Sequence, residues 1–313
     1  MWAFIIRRVF ATIPVMLVVA VVVFLLLRLS PGDPAVLIAG DHATTQDIEQ
    51  IRIRLGLDKP LLVQFLQWLW GILQGDLGTS VFNNRPVLDL IAQRLEPTIS
   101  IAILTMSFAI VLAIPLGIIA AWKVDTWIDR AIMVFAVAGF SFPVFLIAYL
   151  LVFGFALEWS FLPVQGYRQM VDGFVPFIRH LILPSVALGL VYTALLARMT
   201  RSTVIEVLNE DYIRTARAKG LGMDAVLLGH ALKNAAVPIV TTIGVGIAHL
   251  IGGVVVTESV FAIPGIGRLT IDAVLQRDYP VIQGVILVAS FVYVLINLVI
   301  DISYTLLDPR VRY

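Results

Sequence analysis

The chain has no cysteine among its 313 residues, so disulfides, thiol catalysis and cysteine-ligated metal centres are excluded. Charge is scarce as well. Asp, Glu, Lys and Arg make up 14% of residues against 60% hydrophobic, and mean hydropathy is +0.97. A soluble domain of this size needs far more charge to keep its surface wet, so the composition is that of a polytopic membrane protein. A formal net charge of +1 lacks the concentrated basic surface of a nucleic-acid binder. Nothing matches G-x-x-x-x-G-K-[ST], and no glycine is followed by lysine, so the chain has no phosphate-cradling loop for ATP. H-E-x-x-H is missing, and Gly139-Phe140-Ser141-Phe142-Pro143 lacks the second glycine of a nucleophile elbow. His42, His180, His230 and His249 lie far apart without ligand spacing. The expectation is a chain with no catalytic residue, metal site or cofactor of its own.

What is present is apolar helix. A hydrocarbon core of about 30 Å takes about 20 apolar residues to cross. Six segments reach or approach that length: Val9–Leu29, Thr98–Ala121, Ala131–Leu157, Leu181–Ala197, Ala235–Thr257 and Pro280–Ile300. The fourth is the shortest. Val9–Leu29 follows Arg7 and Arg8 as a secretory signal would. It is longer than a signal core, though, and runs into Leu29-Ser30-Pro31-Gly32-Asp33-Pro34, a turn rather than a cleavage site, so it reads as an uncleaved first span.

Charge distribution orients the spans. The segment 198–234 carries Arg198, Arg201, Arg214, Arg217, Lys219 and Lys233, whereas 30–97 has eight acidic residues against five basic ones. The positive-inside rule then places both termini and 198–234 in the cytoplasm, with 30–97, 158–180 and 258–279 outside. Trp2, Trp122, Trp127 and Trp159 fall at predicted span ends, where amphipathic rings are favoured. Within 30–97, Thr44 and Asp47 have capping-box spacing, and Ile48, Ile51 and Leu55 form a stripe ahead of Gly56. In Leu61–Gln74 the residues Leu62, Phe65, Leu66, Leu69, Ile72 and Leu73 recur at helical spacing, the pattern of a helix on the membrane surface or against a partner. The whole 30–97 segment is either a cover for span ends or a docking platform for an external receptor.

No acidic residue falls inside the six predicted spans; His249 alone is ionisable at depth. It is either a coupling-ion residue of a secondary carrier or a neutral side chain hydrogen-bonded to a carbonyl among helices packed at Gly244, Gly246, Gly252 and Gly253. Arg28, at the outer end of the first span, is explained by a stem that reaches the headgroups.

Segment 198–234 interrupts the apolar chain with Asp211-Tyr212-Ile213-Arg214-Thr215-Ala216-Arg217-Ala218-Lys219-Gly220-Leu221-Gly222. The pattern predicts a helix from Thr200 to Lys219, with Glu210 and Arg214 paired at i,i+4. Arg217 and Lys219 sit in its last turn, and Gly220 ends it in the left-handed region. A second helix is predicted from Asp224 to Ala236, stopped near Pro238. The tip near 212–222 keeps Ala216 and Ala218 small for close approach and offers Tyr212, Arg214 and Arg217 for directional contacts. The segment is either a solvated basic loop or a helix held by another protein.

This loop resembles the cytoplasmic coupling loop of ATP-binding-cassette importer permeases, general pattern E-A-A-x3-G-x9-I-x-L-P. Ala216, Gly220 and Leu232 fit it; Arg214, Thr215, His230 and Lys233 depart from it. The departures are similar to the peptide/nickel subgroup, in which Tyr-Ile-Arg-Thr-Ala-Arg-Ala-Lys-Gly and a later His-Ala-Leu-x-Asn-Ala, here His230 to Ala235, are familiar. Leu29 to Pro34, Arg54 to Pro60, Phe261 to Arg268, Arg277 to Gln283 and Leu307 to Tyr313 also resemble subgroup segments, in order along the whole chain. The long first loop resembles that of the first permease subunit of the pair. The resemblance implies an all-α, six-span type I permease fold in one domain, 1–313, without its own ATPase site. It also implies a second homologous permease, two ATPase subunits carrying ATP and Mg, and an extracytoplasmic solute-binding protein. The setting would be a bacterial or archaeal plasma (inner) membrane, and the cargo a peptide or similar small solute moved by alternating access. Tyr212, Arg214, Thr215, Ala216, Arg217, Ala218, Lys219, Gly220 and Leu221 are then the expected ATPase-coupling residues.

Overall fold

In a computed structural model, residues 2–29, 35–36, 44–54 and 57–307 are described. Among them the chain is helical, with only an isolated bridge between Thr79 and Pro86. The helices are α1 (Trp2–Leu29), α2 (Thr45–Arg54), α3 (Leu61–Leu73), α4 (Val87–Trp122), α5 (Trp127–Ser141), α6 (Val144–Leu151), α7 (Phe174–Leu208), α8 (Asp211–Ala218), α9 (Leu232–Val260), α10 (Ile266–Gln276) and α11 (Tyr279–Leu307). The Pro31–Pro34 turn, Leu55, Gly56, the tail beyond Leu307 and the side chains of Trp2, Arg28, Asp47 and Ile51 lie outside the described residues.

Among the described residues five helical stretches are long and apolar enough to cross a bilayer: Ile6–Leu26, Val87–Trp122, Phe174–Leu208, Met223–Leu250 and Tyr279–Ser303. The third predicted span is not one rod. It divides into Trp127–Ser141 and Val144–Glu158, bent by 103°. The cause is Pro143, which removes a backbone donor and forces Phe142 into an extended conformation (φ −87°, ψ 135°). The fourth is much longer than Leu181–Ala197, and it is the most buried of the five. Its modest apolarity reflects protein neighbours rather than lipid: Ser185, Thr193, Thr200 and Thr203 are all buried on it.

The chain forms two compact units, Met1–Arg94 with Leu269–Leu295, and Leu95–Arg268 with Ile296–Tyr313. In the first, α3 packs on α1: Phe24 lies 5.2 Å from the Phe65 ring and 5.5 Å from that of Trp68. Leu69 and Ile72 join the same cluster with Val23 and Leu287. The sequence stripe on α3 is therefore split, because Leu62, Leu66 and Leu73 remain exposed. Buried Gln283 donates to the Val23 carbonyl at 2.9 Å, and the Ser80 hydroxyl donates to buried Asp278 at 2.5 Å. In the second unit α7 is central, packed against α5, α6 and α9 around Leu181, Leu188, Leu196, Leu250 and Phe261. The Tyr167 hydroxyl donates to Glu96 at 3.0 Å. Burial pushes that phenol up to about 12, a hydrogen bond with Ser100 opposes the rise, and the Glu96 carboxylate adds to it.

The helices outrun the predicted spans and so take in acidic groups. Glu258, one residue past the expected end of the fifth span, is fully buried near the end of α9. It accepts a hydrogen bond from the Thr98 hydroxyl at 2.6 Å and another from the Arg268 N–H at 3.0 Å. Thr98 in turn accepts from the Ile266 N–H at 2.8 Å, so the carboxylate and hydroxyl together satisfy the first turn of α10. Asp129 lies in the first turn of α5 and is also buried.

Helices α4 and α7 approach closely at Gly117. A Cβ there would stand 2.6 Å from Thr200 Cβ and 2.8 Å from the Ala197 carbonyl oxygen. Gly117→Ala is expected to destabilise the protein by about 1–3 kcal/mol through overpacking. Thermal unfolding in detergent checks this, with Gly252→Ala, which meets no neighbouring atom within 4 Å and gains helix propensity, as the control that should lose no stability.

Candidate coupling site

The polar loop folds around a break the sequence did not announce. Instead of continuing to Lys219, α7 ends at Leu208; the Asn209 N–H bonds the Glu206 carbonyl at 3.2 Å, and Glu210 is extended (φ −68°, ψ 147°). Helix α8 then starts afresh at Asp211. Because Glu210 precedes the helix, Arg214 pairs not with it but with Asp211, at 3.2 Å. Both partners are largely exposed, so the pair orients the guanidinium more than it stabilises the helix. The Thr215 hydroxyl donates to the Asp211 carbonyl at 3.0 Å.

The face of α8 that holds it down is set by Ile213 and Ala216, three residues apart and both buried. Ala216 is thus an inward packing residue, contrary to the expectation that it keeps the tip open for a partner. Ile213 was missed, although its i,i+3 spacing to Ala216 in a polar segment was a readable signal. The rest of the helix surface exposes Tyr212, Arg214, Thr215, Arg217, Ala218 and Lys219, three of them cations. Partial burial, then the Glu210 carboxylate, hold the Tyr212 phenol above its ordinary value.

Gly220 ends α8 as the sequence predicts. Its φ is +84°, the Gly220 N–H bonds Arg217 O at 2.9 Å, and the Leu221 N–H bonds Ala216 O at 3.3 Å. That pair of bonds is a Schellman closure, which satisfies two carbonyls of the last turn. Acidic Asp211 in the first turn and basic Arg217 in the last both complement the helix dipole.

Past Gly222 the chain does not form a short helix stopped at Pro238. Met223–Ala225 leads into a π-helical turn, Val226–Ala231, and then into α9, which runs through Pro238 to Val260. Proline is tolerated inside an apolar membrane helix where neighbours accommodate the missing bond. The Asn234 side chain donates to the His230 carbonyl at 2.8 Å, at the junction of the wide turn and α9. Leu227, Ala231, Ala235 and Ile239 pack with Val204 of α7 and Ala121 of α4, which roots the loop in three helices.

His249 is exposed on α9, and its Nδ1–H donates to the Val245 carbonyl at 2.9 Å. The bond to a carbonyl is as expected; the facing of His249 toward neighbouring helices is not, because the side chain is exposed. Among the described residues no three His, Asp or Glu side chains are placed to hold a metal ion.

Residues 113–313 match the family model for the inner membrane component of binding-protein-dependent transport systems, and residues 1–102 match that for the N-terminal part of the membrane component. The chain belongs to this family. It is 52% identical over all 313 residues of both chains to a probable peptide ABC transporter permease of Sinorhizobium fredii. Identity is 48% over the full length of both chains to a putative peptide transport system permease of Brucella abortus. To a glutathione transport system permease of Escherichia coli K12 it is 45% over 310 residues, 99% of each chain. The fold is similar to that in a structure of the inward-facing MetNI methionine ABC transporter, with TM-score 0.59 and 15% identity, covering 70% of this chain and 96% of that one. The chain is therefore a multi-pass inner-membrane permease subunit of the peptide/nickel subgroup of ATP-binding-cassette importers. Its family works with an ATPase and a binding protein, and the ion-coupled carrier built on His249 finds no support.

Replacing Gly220 by alanine leaves the space around it open but puts a side chain at φ +84°. The cost is expected to be about 1–2 kcal/mol. It should appear as cleavage about fivefold or more faster at Arg217 and Lys219 in limited trypsinolysis, because local opening exposes the backbone of α8 to protease.

Proposed function

We propose that this permease carries peptides or a similar small solute inward, with α8 as the element through which ATP hydrolysis is coupled to movement. The observation that carries the reading is the two-sided build of α8. Ile213 and Ala216 are buried and the helix packs on the π-helical turn Val226–Ala231, while Tyr212, Arg214, Thr215, Arg217, Ala218, Lys219 and Leu221 are left exposed around the Gly220 closure. A helix anchored by two buried side chains and cationic over its exposed surface suits an acidic or aromatic-lined groove on a motor subunit. The solute class rests on the named relatives and on the subgroup resemblance along the whole chain.

In this reading the complex contains this chain as the first permease of a pair, a second homologous permease, two ATPases holding ATP and Mg, and an extracytoplasmic binding protein. Residues 1–313 act as one permease domain. Both termini and the 198–234 loop face the cytoplasm, and 30–97 faces outward, where it receives the binding protein or covers span ends. ATP draws the two motors together, each groove carries its coupling helix, and rigid rotation of the helices opens the pathway outward. Hydrolysis and release reverse the movement. The chain itself supplies no ATP chemistry; its contribution is to bind, to move and to exclude solvent.

Reversing Arg214 and Arg217 together to glutamate, or replacing Gly220 by proline, is expected to abolish ATP-driven uptake. The chain should remain in the membrane and ATP hydrolysis should lose its stimulation by the loaded binding protein. Uptake at the original rate in both variants would remove α8 from the mechanism. Copurification from the native membrane is the companion measurement: two ATPases and a second permease in equal proportion are expected.

A further inference from the structure

Immediately beside the root of the coupling loop, α5 is tied to α7 by a two-pronged ion pair. Arg201 Nε donates to Asp129 Oδ1 and Arg201 Nη2 to Asp129 Oδ2, both at 2.6 Å. The Asp129 side chain is 5% exposed and that of Arg201 25%. The same carboxylate accepts from the Asp125 N–H at 3.0 Å, and Asp125 sits at φ +65° in the turn between α4 and α5. One carboxylate thus fixes both the turn and its attachment to α7.

The neighbours of Arg201 on α7 make this placement mechanical. Ala197 and Thr200 lie against Gly117 of α4, and Val204 packs with Leu227 and Ala231 at the base of the loop and with Ala121 of α4. Two turns of α7 therefore hold the α4–α5 hairpin and the root of α8 at once. The apolar contacts among them are non-directional and tolerate sliding. The paired guanidinium and carboxylate do not, because both parallel bonds are lost together when either helix shifts. A buried pair adds little net stability over apolar side chains of the same volume; what it contributes is register.

We propose that the Asp129–Arg201 pair is a positioning element for transport. It locks the α4–α5 hairpin to α7, so that displacement of α8 by the ATPase reaches the hairpin as rigid-body motion instead of being absorbed at the helix contacts. The proposal rests on the coupling reading of α8. Neither residue touches solute or ATP; both act through α7.

The test uses the assembled complex in lipid nanodiscs. This chain has no native cysteine, so Trp127→Cys on α5 and Glu210→Cys beside α8, both at exposed positions, carry spin labels without background from it. With the pair intact, pulsed electron resonance should give one distance that is the same without nucleotide and with ATP and vanadate. In Asp129→Asn the population at that distance is expected to fall about fivefold or more once ATP and vanadate are added, the lower end of ordinary inter-site coupling. A distance that stays single and independent of nucleotide in Asp129→Asn would overturn the proposal and leave the pair a purely structural tie. If Asp129→Asn does not accumulate, Arg201→Lys carries the same comparison, since it keeps the charge and loses the fork. Cross-linking of Lys219 to the ATPases in the same samples reports on the coupling reading separately. Its absence with the pair intact would overturn that reading, whatever the distances show.

Discussion

A hydrocarbon layer offers no hydrogen-bond partner, so every backbone polar group within it has to be satisfied by the protein. That constraint makes the chain helical and decides where its few polar side chains go. Buried Gln283 spends its amide on a backbone carbonyl of α1, and Asp278 is met by Ser80. Glu258 lies among the Thr98 hydroxyl and the first N–H groups of α10. Gln283 ties one long helix to another, Ser80 and Asp278 tie two connecting segments, and Glu258 ties the end of α9 to the start of α10.

The same constraint shapes α7. A helix surrounded by lipid has to be apolar on all sides, but one surrounded by protein can carry threonine, serine and arginine. Central placement lets α7 hold Arg201 against Asp129 and leave Val204 free to pack under the coupling loop. The segment that looks weakest as a membrane span is therefore the one around which the second compact unit is organised. Its moderate apolarity is the trace of that position.

At α8 the balance of forces is different. The helix has eight residues and would not persist alone in water. Ile213 and Ala216 anchor it, the Gly220 closure satisfies its end, and opposite charges complement its dipole. The exposed side chains contribute little to holding it in place, which leaves Arg214, Arg217 and Lys219 available for another protein.

Much of this was legible in residues read in order. Membrane class, the number of apolar segments, the missing nucleotide loop, the family resemblance and the glycine closure at Gly220 follow from composition and local spacing, because they depend on the solvent and on neighbours a few positions apart. The Glu210–Arg214 pair, the stop at Pro238 and the straight third span did not survive. Each was decided by where a helix starts or bends, and that depends on packing. The inward turn of Ala216, the burial of Glu258 and the meeting of Asp129 with Arg201, 72 positions apart, belong to the tertiary structure alone. Local sequence carries a preference for helix and for apolar surroundings, but which polar groups meet depends on distances between helices that only the folded chain sets.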